Sequence, residues 1–291
     1  MPITLRTLHA NFGAEIGGID IARPVNTRAF GEIRAAFEEH SVLLFRGQPM
    51  DDANQVAFSE LFGPLERTIS ANPAGGTHFA RQSNLDIDSG AVIPGDDKRM
   101  VYQQANYFWH TDSSFKPIPA LCSLLSARIC PPVGGNTEFC AMRAAYAALP
   151  QRLKESIEDL VAEHSIAHSR SLVDANVLSE AQKAESPPVR QRLVRVNPIN
   201  GRKALYIGAH ASHIVGWPLD KGRALLKELT ELGTRKEFQL SHAWREGDLI
   251  VWDNRAVLHR ATAYDATQHK RLMQRTTVAG DAPTVEPATA A

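Results

Sequence analysis

A chain of 291 residues with 43% hydrophobic and 22% charged residues is long enough to bury a sizeable core. Its 32 basic and 32 acidic residues cancel and no Lys/Arg block stands out, so no nucleic acid and no anionic membrane is expected as a partner. Three cysteines (Cys122, Cys130, Cys140) form no C-x-x-C pair, and neither a leader-like N-terminus nor a membrane-length apolar run is seen, so the expectation is a cytoplasmic protein without disulfides.

In chain order, the Gly-punctuated residues 12–21 read as short strands and turns. Residues 28–40 place Phe30, Ile33, Ala36 and Phe37 at helical spacing, residues 41–45 read as a buried strand, and residues 51–62 as a second amphipathic helix stopped by Gly63-Pro64. Residues 66–104 are polar and irregular, with turn signals at Asn72-Pro73-Ala74-Gly75-Gly76 and Pro94-Gly95-Asp96-Asp97. A long loop of this kind is expected to be an active-site lid, a disordered insert being the other reading. Residues 120–130 form a core strand, and Gly134-Gly135 turns the chain into residues 136–139. A helix over 142–162, a hairpin over 193–207 across Asn200-Gly201 and a helix over 221–232 follow. Residues 238–240, 248–252 and 273–278 are the last strands. The class is α+β, with one domain over residues 1–279 and a flexible tail over 280–291.

Chemistry concentrates in Trp109-His110-Thr111-Asp112 and in Trp252-Asp253-Asn254-Arg255-Ala256-Val257-Leu258-His259. A His-x-Asp pair with one remote His supplies two imidazoles and a carboxylate, the donor set of an iron(II) site that keeps three positions open. Residues two apart on a strand share a face, so His110 and Asp112 are expected to grip one metal from one strand edge. A sheet fold can bring His259 beside them from far downstream.

Those motifs stand among others: Phe12-Gly13-Ala14-Glu15, Val42-Leu43-Leu44-Phe45-Arg46-Gly47-Gln48, Phe62-Gly63-Pro64-Leu65, Gly134-Gly135-Asn136-Thr137-Glu138-Phe139-Cys140 and Ile207-Gly208-Ala209-His210-Ala211-Ser212-His213. Together they make the chain resemble the iron(II)- and 2-oxoglutarate-dependent dioxygenases of the taurine and 2,4-dichlorophenoxyacetate type, the latter branch most. The resemblance implies a double-stranded β-helix core (jelly-roll, cupin-like) with flanking helices. It implies Fe(II) on His110, Asp112 and His259, with 2-oxoglutarate and O2 at the open positions and ascorbate as the in-vitro reductant. Arg271 would pair with the distal carboxylate of 2-oxoglutarate, helped by the Thr137 hydroxyl, and Arg275 with the anionic group of the substrate. Lys270 lies nearer the family's usual offset from His259, and a one-residue slip on a strand would exchange the faces of Lys270 and Arg271. The Arg-x-x-x-Arg-Thr-Thr ending favours Arg271.

Asn106 and His213 are further candidates for the substrate site. Trp252 is expected to pack, and Asp253 or Asn254 to orient His259 or cap the turn. The implied reaction hydroxylates an aryloxyalkanoate such as 2,4-dichlorophenoxyacetate next to its ether oxygen, giving a phenol and glyoxylate with succinate and CO2. A taurine, alkylsulfonate or alkylsulfate dioxygenase is the alternative. A non-oxygenase metal-binding barrel or zinc hydrolase has no use for Thr137 and the two arginines. A homo-oligomer, dimer or higher, is the family-level expectation.

Overall fold

The computed structural model describes residues 2–72 and 74–285. Val42–Phe45 pairs antiparallel with Leu249–Asp253, which pairs with Cys122–Ile129, then Leu272–Val278 and the edge strand Phe79–Ser83. Ala14–Gly17, parallel to Val42–Phe45, and Thr4–Thr7 complete a seven-stranded mixed sheet. A smaller antiparallel sheet of Gln239–His242, Thr137–Ala141 and Val257–Ala261 completes the double-stranded β-helix.

Strand alternation sorts the side chains into two cores. Leu43, Phe45, Leu124, Leu249 and Val251 share one with Ile33, Phe37 and Phe58 of the helices Thr27–His40 and Asp52–Glu60. Val42, Leu44, Leu125, Ile250 and Trp252 point the other way, into a core shared with Phe139, Val257 and Leu258 of the smaller sheet. Coverage on both faces is why Val42–Phe45 is apolar without alternation. The Asn26 side chain accepts the Ala29 N–H at 2.9 Å to start the first helix. Ser41, at φ 61°, turns the chain from that helix into the sheet.

Three expectations are corrected. Residues 66–104 are not a structureless lid: Phe79–Ser83 is an integral edge strand, and Lys98–Gln104 is a helix capped by Asp97. Residues 142–162 hold two short helices, Met142–Ala148 and Gln151–Ile157, before the strand Val161–His164 begins. The break falls at Pro150, which drives Leu149 to an extended ψ of 146°. The 193–207 hairpin is confined to Val194–Val196 and Lys203–Leu205. In the tail, the Thr284 hydroxyl accepts the Arg192 N–H at 3.0 Å, tying this stretch to the strand Val189–Arg192, and residues 286–291 lie outside the described residues. Among the described residues no helix is long and apolar enough to cross a membrane.

Candidate active site

The two histidines meet through their backbones. His110 and His259 exchange both hydrogen bonds of an antiparallel bridge, at 3.0 and 2.8 Å, a single pairing on the edge of the strand Val257–Ala261 away from Thr137–Ala141. Their ring centroids are 4.2 Å apart. The loop 207–211 closes against this pair: Gly208 has φ +114°, and a Cβ there would stand 2.9 Å from the Trp109 carbonyl. The Phe108 carbonyl accepts from His110 Nδ1 at 2.8 Å, which assigns the proton to that nitrogen and leaves Nε2 as a lone-pair donor. His259 packs against Trp252, centroids 4.7 Å apart.

Asp112 does not share a regular strand edge with His110. The regular pairing stops at the bridge, and Ser113 lies in the left-handed region at φ 53°. The carboxylate is instead aimed by a polar frame built on Asn254. Asn254 Oδ1 accepts from the Asp112 N–H at 3.2 Å and from Trp252 Nε1 at 3.0 Å, while its Nδ2 donates to Ser123 Oγ at 3.0 Å. Ser123 in turn donates to Asp112 Oδ2 at 2.7 Å, and Arg275 Nη1 pairs with Oδ1. Asn254 therefore orients Asp112, not His259. Asp253 belongs to a separate ion cluster with Arg143 and Arg255.

The three side chains present donor atoms within 4.8 Å of one another, and all three are buried. His259 Nε2 lies 3.7 Å from Asp112 Oδ2, and His110 Nε2 4.0 Å from Oδ1. Burial holds both imidazoles below their ordinary pKa, His259 well below, which favours the neutral, ligating form. Burial alone would push the Asp112 carboxyl up, but the charges of Arg275 and then of the two histidines outweigh it and hold it at about 2. Two neutral nitrogens and one ionised carboxylate, converging from one side, fit a divalent iron.

Two clefts open on this triad and share Gln82, Asn106, His110 and Arg275. The inner one is lined by Thr137, Trp252, His259 and Arg271. Arg271 is buried there and Lys270 is exposed, as the register argument favoured. Gly135 makes room for it, since a Cβ would stand 3.3 Å from Arg271 Nε. Trp244 Nε1 donates to Thr137 Oγ1 at 3.0 Å and fixes that hydroxyl. The outer cleft adds the apolar Ile69, Tyr102, Phe115 and Ile166 and the buried Arg170 and His210. Asn106 is held between the clefts by donating to Gln82 Oε1 at 2.8 Å.

His213 departs from expectation. It lies on the strand Ala211–Ile214, its Nδ1 is 2.9 Å from the Ser212 hydroxyl, and it lines neither cleft. His210, three residues earlier, does so instead, its ring centroid 6.0 Å from that of His110. Sequence reasoning missed Gln82 and Arg170 as cleft residues. Nothing local singled out either: Gln82 lies on a strand formed by pairing with Leu272–Val278, and Arg170 on a six-residue helix.

Residues 4–277 match the family described as "Taurine catabolism dioxygenase TauD, TfdA family". The α-ketoglutarate-dependent 2,4-dichlorophenoxyacetate dioxygenase of Cupriavidus pinatubonensis is 44% identical over 283 residues, which is 96% of this chain and 98% of that protein. The (S)-phenoxypropionate/α-ketoglutarate-dioxygenase of Sphingobium herbicidovorans is 35% identical, with 94% of each chain covered. A crystal structure of AAD-2 in complex with Mn(II) and N-oxalylglycine aligns with a TM-score of 0.91 at 41% identity, covering 99% of this chain and 100% of that one. With a facial His-Asp-His triad between its two sheets and these relatives along its whole length, the chain belongs to the TauD/TfdA family of iron(II)- and 2-oxoglutarate-dependent dioxygenases.

Proposed function

We propose that the protein hydroxylates an aryloxyalkanoate, of which 2,4-dichlorophenoxyacetate is the type, at the carbon next to the ether oxygen. His110, Asp112 and His259 would hold Fe(II), and Thr137 with Arg271 the distal carboxylate of 2-oxoglutarate. When bound, iron with 2-oxoglutarate and O2 supplies an oxidant able to take a hydrogen from an unactivated C–H bond, with succinate and CO2 as co-products. The residues of the chain supply position and dryness. Arg275, which borders both clefts, would draw the substrate carboxylate toward the metal. Asn106 and Gln82 separate co-substrate from substrate, and Tyr102, Phe115 and Ile166 give an aromatic ring apolar walls that exclude water. Hydroxylation at the ether methylene leaves a hemiacetal, which breaks to a phenol and glyoxylate.

The observation that carries this reading is the pair of clefts sharing His110 and Arg275: one is lined by a buried arginine and a threonine, the other by apolar side chains with cations. Because the clefts draw on residues 66 to 277, we read residues 1–279 as one catalytic unit. The test is stoichiometry. Purified protein with Fe(II), ascorbate, O2 and 2-oxoglutarate should release phenol from 2,4-dichlorophenoxyacetate one-for-one with succinate. Succinate released with an alkylsulfonate or alkyl sulfate, and none with the aryloxyacetate, would replace the substrate class and keep the reaction type.

A further inference from the structure

Among the described residues four arginines are buried: Arg143, Arg170, Arg255 and Arg271. Arg143 and Arg255 are each paired with Asp253, and Arg255 also with Glu38. Arg170 and Arg271 have no carboxylate within ion-pair distance among the described residues. Among the described residues the Arg271 guanidinium donates only to the carbonyls of Gln82 and Gly135, at 3.3 and 3.4 Å, and it lines the inner cleft, where the co-substrate carboxylate would be its counter-ion. Arg170 presents the same pattern in the outer cleft.

Arg170 projects from the short helix Ile166–Ser171 and is 8% exposed. Among the described residues its Nε has no hydrogen-bond partner. The guanidinium stacks over the Tyr102 ring, 4.3 Å from the centroid. A ring face engages the charge of the guanidinium but offers its N–H donors no carboxylate acceptor. A stacked ring contributes far less than the desolvation of a buried cation costs, so the geometry calls for an anion. Arg275, by contrast, already has the Asp112 carboxylate.

We propose that Arg170 is a specificity-determining residue that binds the carboxylate of the organic substrate, so that the outer cleft selects an acid over its neutral isostere. This deepens the aryloxyalkanoate reading and rests on it for the identity of the acid. Arg170 grips the anionic end from the Tyr102 side and Arg275 from the side of the cleft that faces the metal.

The test is equilibrium binding to protein loaded with Mn(II) and N-oxalylglycine, by isothermal titration with 2,4-dichlorophenoxyacetate, its neutral amide and hexyl sulfate. Arg170→Gln should weaken the acid by about tenfold or more and the amide by no more than about twofold, since a charge-assisted pair is lost in one case only. Arg170→Lys, which keeps the charge and loses the fork, should fall between. N-oxalylglycine affinity, unchanged, reports an intact inner cleft. An acid-to-amide ratio in Arg170→Gln equal to wild type overturns the role of Arg170 and leaves the aryloxyalkanoate reading standing. Wild-type binding of hexyl sulfate and not of the acid overturns that reading, while loss of the sulfate in Arg170→Gln still supports the anchor. Wild-type protein binding none of the three overturns both. Should Arg170→Gln not fold, a folded Arg170→Lys with full wild-type preference for the acid overturns the proposal.

Discussion

Two buried polar clusters meet at the end of the strand Leu249–Asp253, and they differ in how completely they are satisfied. Behind it, Asp253 takes Arg143 and Arg255, while Glu38 takes Arg255, Arg34 and Asn197. Both carboxylates there are paired. In front of it, the triad and its clefts retain unpartnered atoms: His259 Nδ1, His210 Nδ1, Arg170 Nε and Arg275 Nε. Both clusters are buried and charged, so burial and charge do not tell structure from function. What separates them is where the residual capacity lies: among the described residues the rear cluster leaves one orphaned donor, Arg143 Nε, behind two paired carboxylates, whereas the open front one leaves four orphaned atoms on residues that line the clefts, which is costly until a ligand fills them.

The largest contrast comes from the open side. His110→Ala or His259→Ala should abolish turnover and metal uptake while the far-ultraviolet circular dichroism keeps its native shape, and chelation of wild-type protein should be reversed by Fe(II) and not by Zn(II). Turnover surviving in either variant would remove that residue from the ligand set. On the closed side, Glu38→Ala leaves the buried Arg255 on Asp253 alone, strips the half-buried Arg34 of its carboxylate and removes the acceptor of Asn197. It should lower unfolding free energy by about 3–5 kcal/mol in a urea titration while leaving both KM values near wild type. A stable Glu38→Ala with altered KM would erase the distinction between the clusters.

Smaller effects sharpen it. Arg271→Gln should raise the KM for 2-oxoglutarate by about ten- to a hundredfold and move the KM of the organic substrate much less, with Arg275→Gln doing the reverse. Equal movement of the two constants in either variant would merge the inner and outer clefts into one site. Asn254→Ala leaves all three candidate ligands in place but removes the frame that aims Asp112. Metal affinity, read by equilibrium dialysis, should drop by about tenfold.

The ligand set was legible because it needs only residue types and a sheet that joins distant strands. Arg271 was legible because strand alternation forces a choice between it and Lys270. What escaped detection depended on register or on remote partners. His210 and His213 sit three apart, but His210 precedes the strand Ala211–Ile214, where the chain meets His110, while His213 lies within it. Phe79–Ser83 gains its strand character from Leu272–Val278, which no local pattern announces, and its polar residues are those of an edge. The helix break after residue 148 was readable, since Leu149-Pro150 carries the signal. Arg170 differs from a surface arginine only through the packing of Tyr102 upon it.

The bridge between His110 and His259 has a consequence for the cell's metal economy. Two of the three donors are clamped by backbone hydrogen bonds, so little chain entropy remains to be lost when an ion arrives. Preorganisation strengthens binding of every ion that accepts two imidazoles and a carboxylate in this arrangement, and a donor set of these types does not itself single out iron. The Irving–Williams order places iron(II) below cobalt, nickel and copper at such a site. Iron occupancy is then governed by supply, and the same rigidity that readies the protein for iron exposes it to displacement wherever those competing ions accumulate.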